Sequence, residues 1–93
     1  MQVRRHLYYS GTVQGVGFRY AAVGLARGRA VAGFVRNLRD GRVELVVEGE
    51  AAVVAGVLAD LEEAMRGYVG GVESVEEPPT GEFSGFRVSR DWE

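Results

Sequence analysis

The sequence predicts an α+β sandwich, an antiparallel sheet of four to five strands with two helices on one face. Three observations carry this. Strand-like and helix-like segments follow in the order β-α-β-β-α-β, with an added terminal strand. Asp40-Gly41 separates two apolar, β-branched runs, a strong hairpin signal. From Ala51 to Met65 the pattern turns helical, with Val54, Val57, Leu58, Leu61 and Met65 at i, i+3, i+4, i+7 and i+11.

Val3 to Ser10 is β-branched and aromatic and reads as the first strand. Gly11 to Phe18 is punctuated by glycine and reads as a loop. Tyr20 to Arg29 holds Ala21, Ala22, Val23, Leu25 and Ala26, a short helix weakened by Gly24. Gly33 to Leu38 and Arg42 to Glu48 form the hairpin strands. A type I′ turn at Asp40-Gly41 would need positive φ at both central residues. In the second hairpin strand Val43, Leu45 and Val47 alternate with Glu44, Val46 and Glu48, which predicts one buried face. Gly67, Gly70 and Gly71 should end the second helix, and Val72 to Glu76 should form a short strand. Pro78-Pro79-Thr80-Gly81 reads as a turn, and Phe83, Phe86 and Val88 support the last strand. Short connections and right-handed crossovers then favour a ferredoxin-like βαββαβ sandwich, residues 1–93 forming one domain. That topology hosts many functions, so function must come from a site.

Composition removes much chemistry. The 93 residues contain no Cys and no Lys, one His (His6) and one Asn (Asn37). Disulfides, thiolate nucleophiles, cysteine-ligated metals, Schiff-base lysines and the P-loop lysine are all excluded. Eleven basic against thirteen acidic residues give −2, which argues against a nucleic-acid partner. No apolar run approaches the ~18 residues of a membrane span, and the start lacks a signal-peptide core. The expectation is a cytoplasmic protein without a membrane partner. Phosphate or carboxylate handling by Arg and backbone N–H groups survives these exclusions.

The informative segment is Gly11-Thr12-Val13-Gln14-Gly15-Val16-Gly17-Phe18-Arg19, which leaves a strand and enters a helix. Gly15 and Gly17 allow converging N–H groups, an anion-binding nest at the positive end of the helix dipole. Arg19 adds a permanently charged fork. The dinucleotide and P-loop fingerprints both fail here. On pattern alone, a tight turn whose glycines only permit close packing is an equal reading. Asn37, read alone, is better explained as a turn residue than as a functional one.

The string Val13-Gln14-Gly15-Val16-Gly17-Phe18-Arg19 after Gly11 closely resembles the acylphosphatase signature. Gly33-Phe34-Val35-Arg36-Asn37, then Asp40-Gly41, Val43-Glu44 and Gly49, resemble the family's second block, and Phe86-Arg87-Val88 fits its weaker C-terminal pattern. The resemblance implies hydrolysis of carboxyl phosphates by direct attack of water, with no metal and no cofactor. It implies that the amides of Gln14, Gly15, Val16, Gly17 and Phe18 hold the phosphoryl group together with Arg19, and that Asn37 orients the water. The implied partner is a small acyl phosphate met by a monomer. The alternative on the same fold is a non-catalytic phosphate- or acyl-phosphate-binding module. The sequence departs from the family pattern at Thr12, where a basic residue is usual, at Phe34 in place of Trp, and at Arg29-Ala30 after the first helix. Phe34 is expected in the core. His6 is expected as a packed or solvated strand residue, Arg36, Arg39 and Arg42 as hairpin charges, and Glu73, Glu76 and Glu77 as surface. For Trp92, docking on the sheet edge and fraying are equal expectations.

Overall fold

The computed structural model describes residues 1–90, so Trp92 lies outside the described residues. The order is β1 (Gln2–Gly11), α1 (Phe18–Ala26), β2 (Val31–Asn37), β3 (Val43–Glu50), α2 (Ala51–Ala64), β4 (Val69–Glu77) and β5 (Phe86–Val88). The sheet order is β4-β1-β3-β2-β5. The first four strands are antiparallel neighbours, and β5 adds to β2 in parallel, making the sheet mixed. This is the ferredoxin-like arrangement with one extra strand. None of the described helices is long and apolar enough to cross a membrane.

The core lies between the helices and one face of the sheet. Leu7 and Tyr9 from β1, Val35 from β2, and Val43, Leu45 and Val47 from β3 meet Phe18, Ala22 and Ala26 of α1 and Val54, Val57, Leu61 and Met65 of α2. The strand positions recur every second residue and the α2 positions every three or four, as a two-layer packing requires. Register carries this row across the sheet, pairing Leu7 with Leu45 and Val35 with Leu45. At its end, Asn37 pairs with Val43 and keeps the same inward phase as Val35.

Several expectations shift. Helix α1 starts two residues earlier than Tyr20 and ends at Ala26, which places Arg19 in its first turn. Gly28, at φ +79°, takes the left-handed position after it, so Ala30 meets no capping demand. Gly70 and Gly71 belong to β4 rather than to the end of α2. The hairpin turn is not type I′, because Asp40 is not left-handed. Gly41 N–H donates to Leu38 O at 3.1 Å and Leu38 N–H to Arg42 O at 2.8 Å, with Gly41 alone at φ +98°. That is a three-residue loop of a turn followed by a left-handed glycine.

The largest correction concerns β3, which is buried on both faces. Glu44 and Glu48, expected in water, are 5% and 6% exposed. Charged side chains from β1 and β2, with Thr80 and Gly81 of the later turn, cover them. Arg4 Nη1 donates to Glu48 at 2.8 Å and Arg36 Nε to Glu44 at 2.6 Å. Phe34 also belongs to this second face, half-buried against Phe83 with ring centroids 5.8 Å apart, rather than to the helix-side core.

Candidate active site

The loop between β1 and α1 is held at both ends by burial. Val13 and Phe18 are 1% and 2% exposed, and the Phe18 ring packs on Tyr9 with centroids 4.8 Å apart. Between these anchors Gly15 and Gly17 are exposed, at φ +79° and +83°. A β-carbon at either position would meet no atom within 4 Å. Close packing therefore does not account for the glycines, while the left-handed backbone does. Close packing, on which the tight-turn reading of the loop rests, is not what these two glycines serve.

Gly17 is the N-cap of α1, and no side chain caps the helix there. The first-turn N–H groups of a helix have no partner inside it, and they carry the positive end of its dipole. An anion seated at this end meets both. A cleft of about 350 Å³ opens at this point, lined by Val13, Gly15, Gly17, Phe18, Arg19, Tyr20, Asn37 and Val88. It thus brings together two loop glycines, the motif arginine and the sole asparagine, although Arg19 and Asn37 lie on different elements. Among the described residues of that lining, Arg19 is the only charged one. Asn37 is 8% exposed, a polar side chain at the end of an otherwise apolar strand row. Among the described residues no group of three or more His, Asp or Glu is arranged to hold a metal ion.

Two expected loop residues stand apart from the lining. Val16 is half-buried and packs against the core. The Gln14 side chain turns to the hairpin, its Nε2 donating to Leu38 O at 2.7 Å and Arg42 O at 3.0 Å. The sequence holds no signal for that link, because a carbonyl acceptor can belong to any residue. The structure also adds Tyr20 and Val88, which are 85% and 45% exposed, to the cleft.

His6 is not in the cleft. It sits on the second face between Glu44, 2.6 Å from Nε2, and Glu77, 3.0 Å from Nδ1. Arg36 and Arg42 are also engaged elsewhere, Arg42 with Asp40 at 2.9 Å and over the Tyr8 ring at 4.7 Å from its centroid. Burial pushes the Glu44 carboxyl up, but hydrogen bonds from Arg36 and His6 outweigh it and hold it below the usual carboxylate range. Glu77 is not idle surface, since Arg4 and His6 both bind it.

A family model described as Acylphosphatase matches residues 5–88 of the chain. A protein of Synechococcus sp. named acylphosphatase is 47% identical over 83 residues, 86% of each chain. Among solved structures, an acylphosphatase from Bacillus subtilis has a TM-score of 0.85 at 28% identity, covering 97% of this chain and 100% of that one. An acylphosphatase from Coxiella burnetii has a TM-score of 0.81 at 34% identity, covering 95% and 93%.

Proposed function

The chain belongs to the acylphosphatase family, and from that premise we propose which of its residues carry the reaction. The reaction itself is hydrolysis of an acyl phosphate, R–CO–O–PO₃²⁻, to a carboxylate and inorganic phosphate. The phosphoryl group sits at the N-terminus of α1, held by the amides from Gln14 to Phe18 and by the Arg19 guanidinium. These donors face the charge that builds on the equatorial oxygens. Asn37 accepts a hydrogen bond from the attacking water and orients its oxygen in line with the bond that breaks.

The step needs no general acid. Water oxygen bonds to phosphorus as the P–O bond to the acyl group breaks, and the carboxylate leaves with that electron pair. The water proton passes to a phosphoryl oxygen, because an amide such as Asn37 is no base near neutral pH. The acyl group lies along Tyr20 and Val88, the exposed apolar flank of the same cleft. The partner in this reading is a small substrate met by a monomer.

The observation that carries this reading is the single cleft shared by Gly15, Gly17, Arg19 and Asn37. It is tested with acetyl phosphate, benzoyl phosphate and phosphate monoesters, on the native chain and on Asn37→Ala. Acyl phosphates should be turned over and monoesters should not, since a monoester lacks the good leaving group. Asn37→Ala should lower kcat about 10²–10³-fold and leave inhibition by inorganic phosphate unchanged. Equal turnover of monoesters, or a parallel loss of phosphate inhibition, would overturn the assignment.

A further inference from the structure

We propose that Gln14 is a positioning residue, whose side chain fixes the distance between the phosphate loop and Asn37. The inference rests on the reading of Asn37 given above. Gln14 belongs to the loop, yet both hydrogen bonds of its Nε2 cross to the β2–β3 hairpin. The acceptors, Leu38 O and Arg42 O, stand on either side of the hairpin neck, where Leu38 N–H also donates to Arg42 O. Leu38 directly follows Asn37, the last residue of β2. A side-chain amide has two N–H donors, and here each has a carbonyl. The Gln14 side chain is therefore committed to the hairpin, and any contact of this residue with phosphate falls to its backbone N–H.

The consequence is geometric. The loop sets where phosphorus sits, and β2 sets where the water sits. They are separate segments of chain, and this amide joins them near the cleft. An in-line attack tolerates little error, and a misplacement of about 1 Å can cost on the order of 10²-fold in rate. Removing the tether should thus damage turnover through Asn37 and leave the phosphate grip on the loop in place.

The test is a double-mutant cycle of Gln14→Leu and Asn37→Ala, read by kcat, by the inhibition constant for inorganic phosphate and by thermal midpoint. Gln14→Leu should lower kcat about 10- to 100-fold and shift phosphate inhibition less than about threefold. Added to Asn37→Ala it should cost nothing more, because the residue it positions is already gone. Losses that multiply in the double variant would overturn the proposal, as would phosphate inhibition weakened in step with kcat. Full turnover in Gln14→Leu beside a crippled Asn37→Ala would sink only the role of Gln14. Full turnover in Asn37→Ala would sink the reading beneath it. Should Gln14→Leu fail to fold, Gln14→Glu applies the same test. Its ionised carboxylate has no donor for the two carbonyls, whereas its acid form has one. Turnover relative to the native chain should rise as pH is lowered through the carboxyl range, and a flat ratio would count against the tether.

Discussion

The Glu48 carboxylate and the cleft at Gly15 and Gly17 are built from the same kinds of parts. Around Glu48, Arg4 donates at 2.8 Å, Thr80 N–H at 3.0 Å, Gly81 N–H at 2.9 Å and the Thr80 hydroxyl at 2.9 Å. One of those amides belongs to a left-handed glycine, Gly81 at φ +71°. In the cleft, left-handed Gly15 and Gly17, the start of α1 and Arg19 make a comparable set. Burial pushes the Glu48 carboxyl up, yet Arg4 and the Gly81 and Thr80 amides hold it down at about 2. Amides and one guanidinium thus suffice to grip a carboxylate inside this fold. The difference is where the anion comes from. Glu48 is the chain's own and is 6% exposed, so its grip is spent on stability. The cleft is open, and its grip is available to a guest.

The widest separation between the two should come from paired substitutions. Arg19→Ala should lower kcat/KM about 10³-fold and weaken inhibition by phosphate, with a thermal midpoint close to native. Glu48→Ala should do the reverse, costing about 2–3 kcal/mol because it strands two amides and an arginine contact. Its kcat/KM should stay within about twofold of native. Denaturant titration and steady-state kinetics on both variants check this. If Glu48→Ala depressed turnover as strongly as Arg19→Ala, the two regions could not be told apart by use.

A matched pair of glycines gives a smaller and sharper contrast. Gly15 and Gly81 are both left-handed, and a β-carbon at either would meet nothing within 4 Å. Alanine therefore imposes only backbone strain, about 1 kcal/mol at each. In Gly81→Ala that cost should appear as lost stability with normal kinetics. In Gly15→Ala it should appear as weaker phosphate inhibition and a turnover loss of about tenfold. Identical kinetic effects from the two would show that the parallel between the sites is only formal.

The two regions also differ in how far the sequence reveals them. The cleft loop is contiguous, from Gly11 to Arg19, so its glycines, its arginine and its place between strand and helix are all readable in one stretch. Asn37 is separate but lies in a second compact block. The Glu48 site is assembled from residue 4, residue 48 and the turn at 80–81, and only sheet register joins them. Alternation in β3 marks Glu44 and Glu48 as outward, and outward they are. Whether outward means solvent depends on Arg4, His6 and Arg36 arriving from other strands. The Gln14 tether is hidden for a related reason, because its acceptors are main-chain carbonyls 24 and 28 residues away. The hairpin turn is hidden for a more local reason. Asp-Gly signals a tight turn, but the choice between a two- and a three-residue loop depends on strand register, which pairs Asn37 with Val43.

The smallest expected effect is the response to mild acid. The carboxyls of Glu44, Glu48 and Glu77 are all held below their ordinary value of 4.5 in the folded chain. For Glu77 the causes are Arg4 first and then His6. An acid whose folded value is lowered binds its proton more readily when unfolded. Its stabilisation is complete above about 4.5 and is lost as pH falls toward the folded value, about 2 for Glu48. From pH 7 to pH 5 the denaturation midpoint should therefore be nearly flat with respect to these groups, and below about 4.5 it should fall. Glu48→Gln should flatten that acid limb while leaving phosphate inhibition at neutral pH unchanged. An acid limb of native steepness in Glu48→Gln would assign the loss to other carboxyls and deny Glu48 its place as the resident anion.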